Sequence, residues 1–114
     1  MSEFDGKVVL ITGCGRVRGM GRAISLAFAR AGADIVATDI ATGGTRNENE
    51  EGLEEIRVGW KGLESLAGEI QALGRSVHTT VGDVSRAADA ERFVAEAVGR
   101  FGRVDVLVNN AAAP

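Results

Sequence analysis

The sequence predicts an α/β chain, a doubly wound parallel sheet with helices on both faces, ending after its fourth strand. Three observations predict it. Short apolar runs alternate with stretches of helical period, and the connections between most of them are short. The first run, Val8-Val9-Leu10-Ile11, is uninterrupted and mostly β-branched, as befits a strand covered on both faces. Polar residues of chemical interest, Thr12, Asp39, Asp83 and Asn109-Asn110, each follow an apolar run, so four separate segments are expected to converge on one edge of the sheet.

The elements follow in order. Lys7 and the Thr12-Gly13 pair bound the first strand, and from Gly21 onward Ile24, Ala27, Phe28 and Ala31 recur at helical spacing until Gly32. Ile35-Val36-Ala37 makes a second strand that ends at Asp39. Residues 41–61 are rich in Gly, Asn, Glu and Thr, with Glu48, Glu50, Glu51, Glu54 and Glu55 crowded together, and read as a solvated insertion. Leu63, Leu66, Ala67, Ile70 and Leu73 mark a second helix stopped by Gly74. Ser76 to Val81 is a third, more polar strand. Ser85 is expected to cap a third helix through its hydroxyl, with Ala90, Phe93, Val94, Ala97 and Phe101 as the buried stripe and Gly102 as the end. Val104 to Val108 makes the fourth strand. In a dinucleotide-binding arrangement the spatial order is 3-2-1-4, which puts a ligand crevice at the carboxyl ends of strands one and four.

With 114 residues, 45% hydrophobic and 25% charged, the chain has one domain's worth of sequence and can build a packed core. A net charge of -3 gives no general attraction for nucleic acid or anionic membranes. Cys14 is the only cysteine, so no disulfide closes within the chain, and a reducing compartment fits. The run Val8 to Ile11 is too brief for a signal peptide or a membrane span, and a cytoplasmic location is expected.

A dinucleotide's pyrophosphate needs backbone N–H donors at a helix amino terminus and can reach them only where side chains are absent. Gly13, Gly15, Gly19 and Gly21 leave such an opening between the first strand and the first helix. A tight turn alone explains one or two of these glycines, but strand, helix and downstream acid together favour cofactor binding. Asp39 can accept hydrogen bonds from both hydroxyls of an adenosine ribose, although a turn aspartate is the plainer alternative. A 2′-phosphate would bring like charge within about 4 Å of it, costing roughly 4 kcal/mol per charge pair. Asp39 therefore predicts NAD over NADP. Arg16 and Arg18 argue the other way, since a guanidinium in the loop can pair with a 2′-phosphate. Asp39 outweighs them, because its repulsion persists after such pairing.

These residues resemble the short-chain dehydrogenase/reductase family over nearly the whole chain. Thr12-Gly13 with Gly19-Met20-Gly21 is similar to its Thr-Gly-x-x-x-Gly-x-Gly loop, Asp83-Val84 to its adenine-contacting pair, and Val104-Asp105-Val106-Leu107-Val108-Asn109-Asn110-Ala111 to its Asn-Asn-Ala-Gly segment. The resemblance implies a Rossmann-type fold and an oxidoreductase acting on an alcohol or carbonyl substrate. It implies that Gly13, Arg18 and Met20 line the pyrophosphate and the nicotinamide-side ribose, with Gly19 and Gly21 completing the loop. Asp39 and Ile40 would hold the adenine-side ribose, Asp83 and Val84 would meet the adenine, and Asn110 would sit near the nicotinamide ribose. Thr12 would tie the loop to the Asn109-Asn110 segment.

Departures from the pattern are few. Five residues separate Gly13 from Gly19 where the family has three, Ala112 replaces a glycine, and 41–61 lengthens one connection. The family's proton transfer uses a tyrosine, with a lysine four residues on and a serine, and this chain has no tyrosine. Those catalytic residues are expected beyond Pro114, in a longer enzyme that the resemblance implies is a homodimer or homotetramer, and the 114-residue piece is expected to be inactive. Val104 to Val108 would then be an uncovered sheet edge, with poor solubility as its consequence. A non-catalytic nucleotide-binding module is one alternative. An S-adenosylmethionine-dependent methyltransferase is another, against which the Thr12-Gly13 start and Asn109-Asn110 speak. Cys14 reads as a small loop residue rather than a redox centre, His78 as a partly exposed strand residue, and Trp60 as a hydrophobic anchor for the long connection. No metal site is expected.

Overall fold

The computed structural model of the chain describes residues 3–43 and 57–111. Along the chain run β1 (Val8–Ile11), α1 (Met20–Arg30), β2 (Asp34–Asp39), α2 (Leu63–Ala72), β3 (Val77–Val81), α3 (Ala87–Phe101) and β4 (Val106–Val108). The four strands form one parallel sheet in the order β3-β2-β1-β4, as the sequence predicts. Val9 faces Ile35 of β2 on one side and Val106 of β4 on the other.

Both faces of β1 are covered, which explains its unbroken apolar run. Val9 and Ile11 join Leu26, Ala29, Leu66 and Ile70 in one cluster with α1 and α2, whereas Val8 and Leu10 join Val36, Phe93 and Ala97 in a second under α3. Burying the Phe93 ring contributes roughly 1.5–3 kcal/mol. No helix among the described residues is long and apolar enough to cross a membrane.

Details of the expected helices change. On α3 the buried positions are Phe93 and Ala97, while Val94 is 45% exposed, because one residue turns a helix by about 100° and carries it off the inner face. On α1 the inner face is Gly21, Ser25, Leu26 and Ala29, and Ala27 points outward. Leu73 follows the last residue of α2 and is also exposed. A buried serine is tolerated because the Ser25 hydroxyl donates to the Gly21 carbonyl at 2.7 Å.

Ser85 does not cap α3. Its N–H and its hydroxyl both donate to Asp83 Oδ1, at 2.9 and 2.6 Å, and Arg86 stands at the cap position with no side-chain bond to the helix. A carboxylate is the stronger acceptor, so it draws Ser85 into an Asx turn and delays the helix to Ala87. Strand β4 likewise starts at Val106 rather than Val104. The Asp105 carboxylate accepts the Val8 N–H at 2.8 Å, and the regular ladder begins one residue later. Gly102 ends α3 in a left-handed conformation, φ 82°, as its position in the sequence predicts.

The long connection between β2 and α2 is closed at its base, where the Leu63 N–H donates to the Thr42 carbonyl at 2.9 Å. Gly62 makes this approach possible: it adopts φ 66°, and a Cβ there would lie 2.6 Å from the Thr42 carbonyl carbon. Of the insertion read at 41–61, residues 44–56 lie outside the described residues, and its five clustered glutamates with them.

Candidate functional site

The four segments that follow the strands meet along one rim, joined by hydrogen bonds from β4 across to β3. Thr12 fastens the first joint: its hydroxyl donates to Asn109 Oδ1 at 3.3 Å and accepts the N–H groups of Asn110 and Ala111 at 3.0 and 2.9 Å. Beside it, Asn110 Nδ2 donates to the Gly13 carbonyl at 3.2 Å. Thr12 is thereby fully engaged within the protein, consistent with its role as a tie. The next joint is made by the Cys14 N–H, which donates to the Thr38 carbonyl at 3.0 Å, and the Gly15 N–H, which donates to Asp39 Oδ2 at 2.7 Å. Finally the Gly82 N–H donates to the Asp39 carbonyl at 2.9 Å, bringing the Asp83-Val84 segment alongside.

Within this rim the glycine loop is held tightly against the start of α1. A Cβ on Gly21 would lie 2.8 Å from the Gly13 carbonyl carbon and 2.9 Å from Cys14 Cα, and nearer still to the Gly13 oxygen. Only glycine permits this approach. Gly13 itself has φ 75°. Gly19 stands at the cap of α1 with no side chain to bond the first turn, and that turn contains no acidic residue. The amides of Met20, Gly21 and Arg22 therefore begin a helix whose partial positive charge is not answered by a capping group.

Asp39 is 7% exposed, and each of its carboxylate oxygens accepts one backbone amide, Gly15 on Oδ2 and Ile40 on Oδ1, both at 2.7 Å. Such bonds fix the carboxylate's orientation, and each oxygen keeps a further lone pair for an incoming donor. The glycine loop and the acidic residue are thus in direct contact.

The remaining residues singled out in the sequence are placed as follows. Met20 is 70% exposed and Ile40 40% exposed at the surface of the rim, and Arg18 is also exposed. Val17, Arg18, Gly19, Arg22 and Ala23 line a shallow concavity of about 460 Å³. The Asp83 carboxyl lies below the usual carboxylate range, held there first by the Ser85 hydroxyl. Val84 is half-buried against the cluster under α3. Cys14 is wholly buried, and burial pushes its thiol up to about 11, which matches its reading as a packing residue. His78 is half-buried on β3, with Nε2 2.6 Å from Glu96 Oε1.

Sequence reasoning missed the support behind the loop. Trp60 does pack against the α1/α2 cluster as an anchor, but its indole N–H also donates to the Gly15 carbonyl at 2.8 Å. Arg22 donates to the Val17 carbonyl at 3.1 Å and to both oxygens of Glu69 at 2.8 and 2.6 Å. Residues 45 and 47 positions apart carry no local signal of contact. The two residues added to the loop were the available hint, since longer backbone creates donors and acceptors that need partners.

Comparison with known proteins agrees with this architecture. The chain matches the family described as short chain dehydrogenase over residues 7–114. It is 38% identical over 113 residues to the 12alpha-hydroxysteroid dehydrogenase of a Clostridium species, an alignment covering 99% of this chain and 39% of that protein. With the L-rhamnose 1-dehydrogenase (NAD(P)(+)) of a Sphingomonas species it shares 35% identity over 111 residues, covering 97% and 36%. The carveol dehydrogenase of Mycobacterium avium, solved in complex with NAD, matches with a TM-score of 0.76 at 30% identity, covering 99% of this chain and 38% of that one. The chain therefore spans somewhat more than a third of the length of these relatives. The methyltransferase reading loses its footing, because the family match over residues 7–114 points elsewhere. By its sheet order, its glycine loop and its match across residues 7–114, the chain belongs to the short-chain dehydrogenase/reductase family of oxidoreductases.

Proposed function

We propose that the whole protein is an NAD-dependent oxidoreductase that interconverts a small-molecule alcohol and its carbonyl counterpart, and that this chain holds the cofactor. The single observation carrying the reading is the 2.7 Å bond from the Gly15 N–H to Asp39, which sets the phosphate loop and the ribose acid side by side. The loop fits a diphosphate: its helix start is uncapped, has no acid in the first turn, and lies against glycines that leave the backbone bare. When bound, NAD supplies the site that accepts or returns hydride.

In this reading Gly13, Arg18, Gly19, Met20 and Gly21 surround the pyrophosphate and the nicotinamide-side ribose. Asp39 accepts from the adenine-side ribose hydroxyls beside Ile40, Asp83 and Val84 border the adenine, and Asn110 stands near the nicotinamide ribose. The preference for NAD over NADP follows from the anchoring of Asp39. Because amides hold both its oxygens, the carboxylate does not swing aside to admit a 2′-phosphate. Titration calorimetry of the full-length protein tests this, with at least tenfold tighter binding of NAD expected; tighter binding of NADP would sink the assignment.

The chain has no tyrosine, so the family's proton-transferring group is not among its residues. That favours a second reading for the 114-residue chain by itself, a nucleotide-binding module without turnover. Dehydrogenase assays on the isolated chain and on the full-length protein distinguish the two. The full-length protein is proposed to be cytoplasmic and to assemble as a homodimer or homotetramer.

A further inference from the structure

We propose that Arg22, Trp60 and Glu69 form a brace that positions the lengthened glycine loop for the cofactor's diphosphate, with Arg22 as its central positioning residue. This rests on the NAD-binding reading above and adds to it the means by which the loop keeps its shape. The loop carries two residues more than the family pattern between Gly13 and Gly19, and its carbonyls at Gly15 and Val17 need partners. Both are satisfied from behind the loop. Trp60 Nε1 donates to Gly15 at 2.8 Å, and the Arg22 guanidinium donates to Val17 at 3.1 Å. With the Gly15 amide on Asp39, one short stretch of backbone is held from three places: the end of β2, the first turn of α1 and the segment leading into α2.

Arg22 is itself held by Glu69, Val17 and Trp60. Its Nε and second terminal nitrogen form a fork onto the two Glu69 oxygens of α2, at 2.8 and 2.6 Å, and its guanidinium lies 5.2 Å from the centre of the Trp60 ring. The hydrogen bond to Glu69 keeps the guanidinium protonated, raising its pKa further. Glu69 answers its charge and Val17 accepts from its other terminal nitrogen, so the geometry commits Arg22 to supporting the loop. A simple ion pair joining α1 to α2 needs neither the bond to Val17 nor the stacked indole, and both of these point toward the loop. Trp60 also closes the long excursion after β2, so that connection ends as part of the loop's support.

The test uses the full-length protein with three conservative variants: Trp60→Phe, which keeps the ring and loses the N–H; Arg22→Lys, which keeps the charge and loses the fork; and Glu69→Gln. Hydrogen exchange of amides 14–19 is measured without ligand, and steady-state kinetics are measured with NAD. Exchange in the loop is expected to quicken about tenfold in Trp60→Phe and Arg22→Lys, with the strand amides unchanged. The KM for NAD is expected to rise about five- to twentyfold, the loss of one or two hydrogen bonds, while kcat at saturating NAD and the KM for the second substrate stay within about twofold. Unchanged loop exchange overturns the brace. Faster exchange with an unchanged KM for NAD overturns its link to the cofactor, as does a lowered melting temperature with both readouts unmoved. If the unaltered protein binds no nicotinamide cofactor, the proposed function fails, and the exchange arm still decides whether the brace holds the loop.

Discussion

Replacing Gly21 with alanine opposes two effects on one atom. Within a helix, Gly→Ala stabilises by up to about 1 kcal/mol through lost unfolded-state freedom. At Gly21 the new Cβ would lie 2.8 and 2.9 Å from backbone atoms of Gly13 and Cys14, well inside ordinary carbon contact, so the loop must shift by about 1 Å. That shift strains the Cys14-to-Thr38 and Asn110-to-Gly13 hydrogen bonds as well as the packing. Overpacking costs about 1–3 kcal/mol and each weakened bond about 0.5–1.5, so after the helical gain a net loss of roughly 1–5 kcal/mol is expected. Gly68 in α2 and Gly99 in α3 are the controls, because a Cβ at either meets nothing within 4 Å. Urea denaturation of the full-length variants should show Gly68→Ala and Gly99→Ala gaining about 0.5–1 kcal/mol while Gly21→Ala loses stability. NAD affinity should fall at least tenfold in Gly21→Ala alone. Should Gly21→Ala stabilise like the controls and bind NAD normally, the close approach of loop and helix described above is wrong.

Further outcomes are expected at four places in the chain. Asp39→Asn leaves one carbonyl oxygen where two amides need acceptors, so it should cost about 1–3 kcal/mol by urea denaturation and, by calorimetry, narrow the gap between NAD and NADP. Cys14, with its thiol at about 11, should resist a disulfide reagent at about pH 8 in the folded protein and react at once in denaturant. Because that pKa lies above the ordinary thiol value, the stability Cys14 contributes is complete below about pH 9 and lost as pH rises further, and Cys14→Ala should flatten that alkaline limb in urea titrations. Glu96 is held below the usual carboxylate range, chiefly by its hydrogen bond with His78. Its contribution is complete above the ordinary glutamate value and is lost as pH falls through the lowered one, so Glu96→Gln should flatten the acid limb below about pH 5. The isolated 114-residue chain should elute from a size-exclusion column as associated species, since β4 is an end strand and Leu107 on it is 61% exposed; a clean monomer peak would count against this.

The sheet order and the convergence of polar segments were legible because both follow from the order of apolar runs. Val8 to Ile11 carries no polar break, so it had to be an inner strand, and right-handed crossovers then fix its neighbours. Helix limits were harder to read. Ser85 has the residue type of a cap, but Asp83 two positions earlier competes for the same hydroxyl, and the outcome depends on geometry that composition does not contain. Val94 was misplaced because valine marks a buried stripe only when its angle on the helix is right. At the site, Asp39 and the glycines could be picked out individually, whereas the bond between them could not. Trp60 and Glu69 were invisible as loop supports, since Trp60 reaches Gly15 and Glu69 reaches Arg22 across more than forty residues of chain.

The clasp between Thr42 and Leu63 fixes the entry and the exit of the connection by a bond between its own two ends. Once two ends are pinned side by side, doubling the span costs only about 0.6 kcal/mol in closure entropy. Evolution can therefore lengthen, trim or recompose this stretch without retuning strand register. A protein engineer can exploit the same tolerance by grafting a tag, a reporter or a recognition peptide there, provided Trp60 is left where it is.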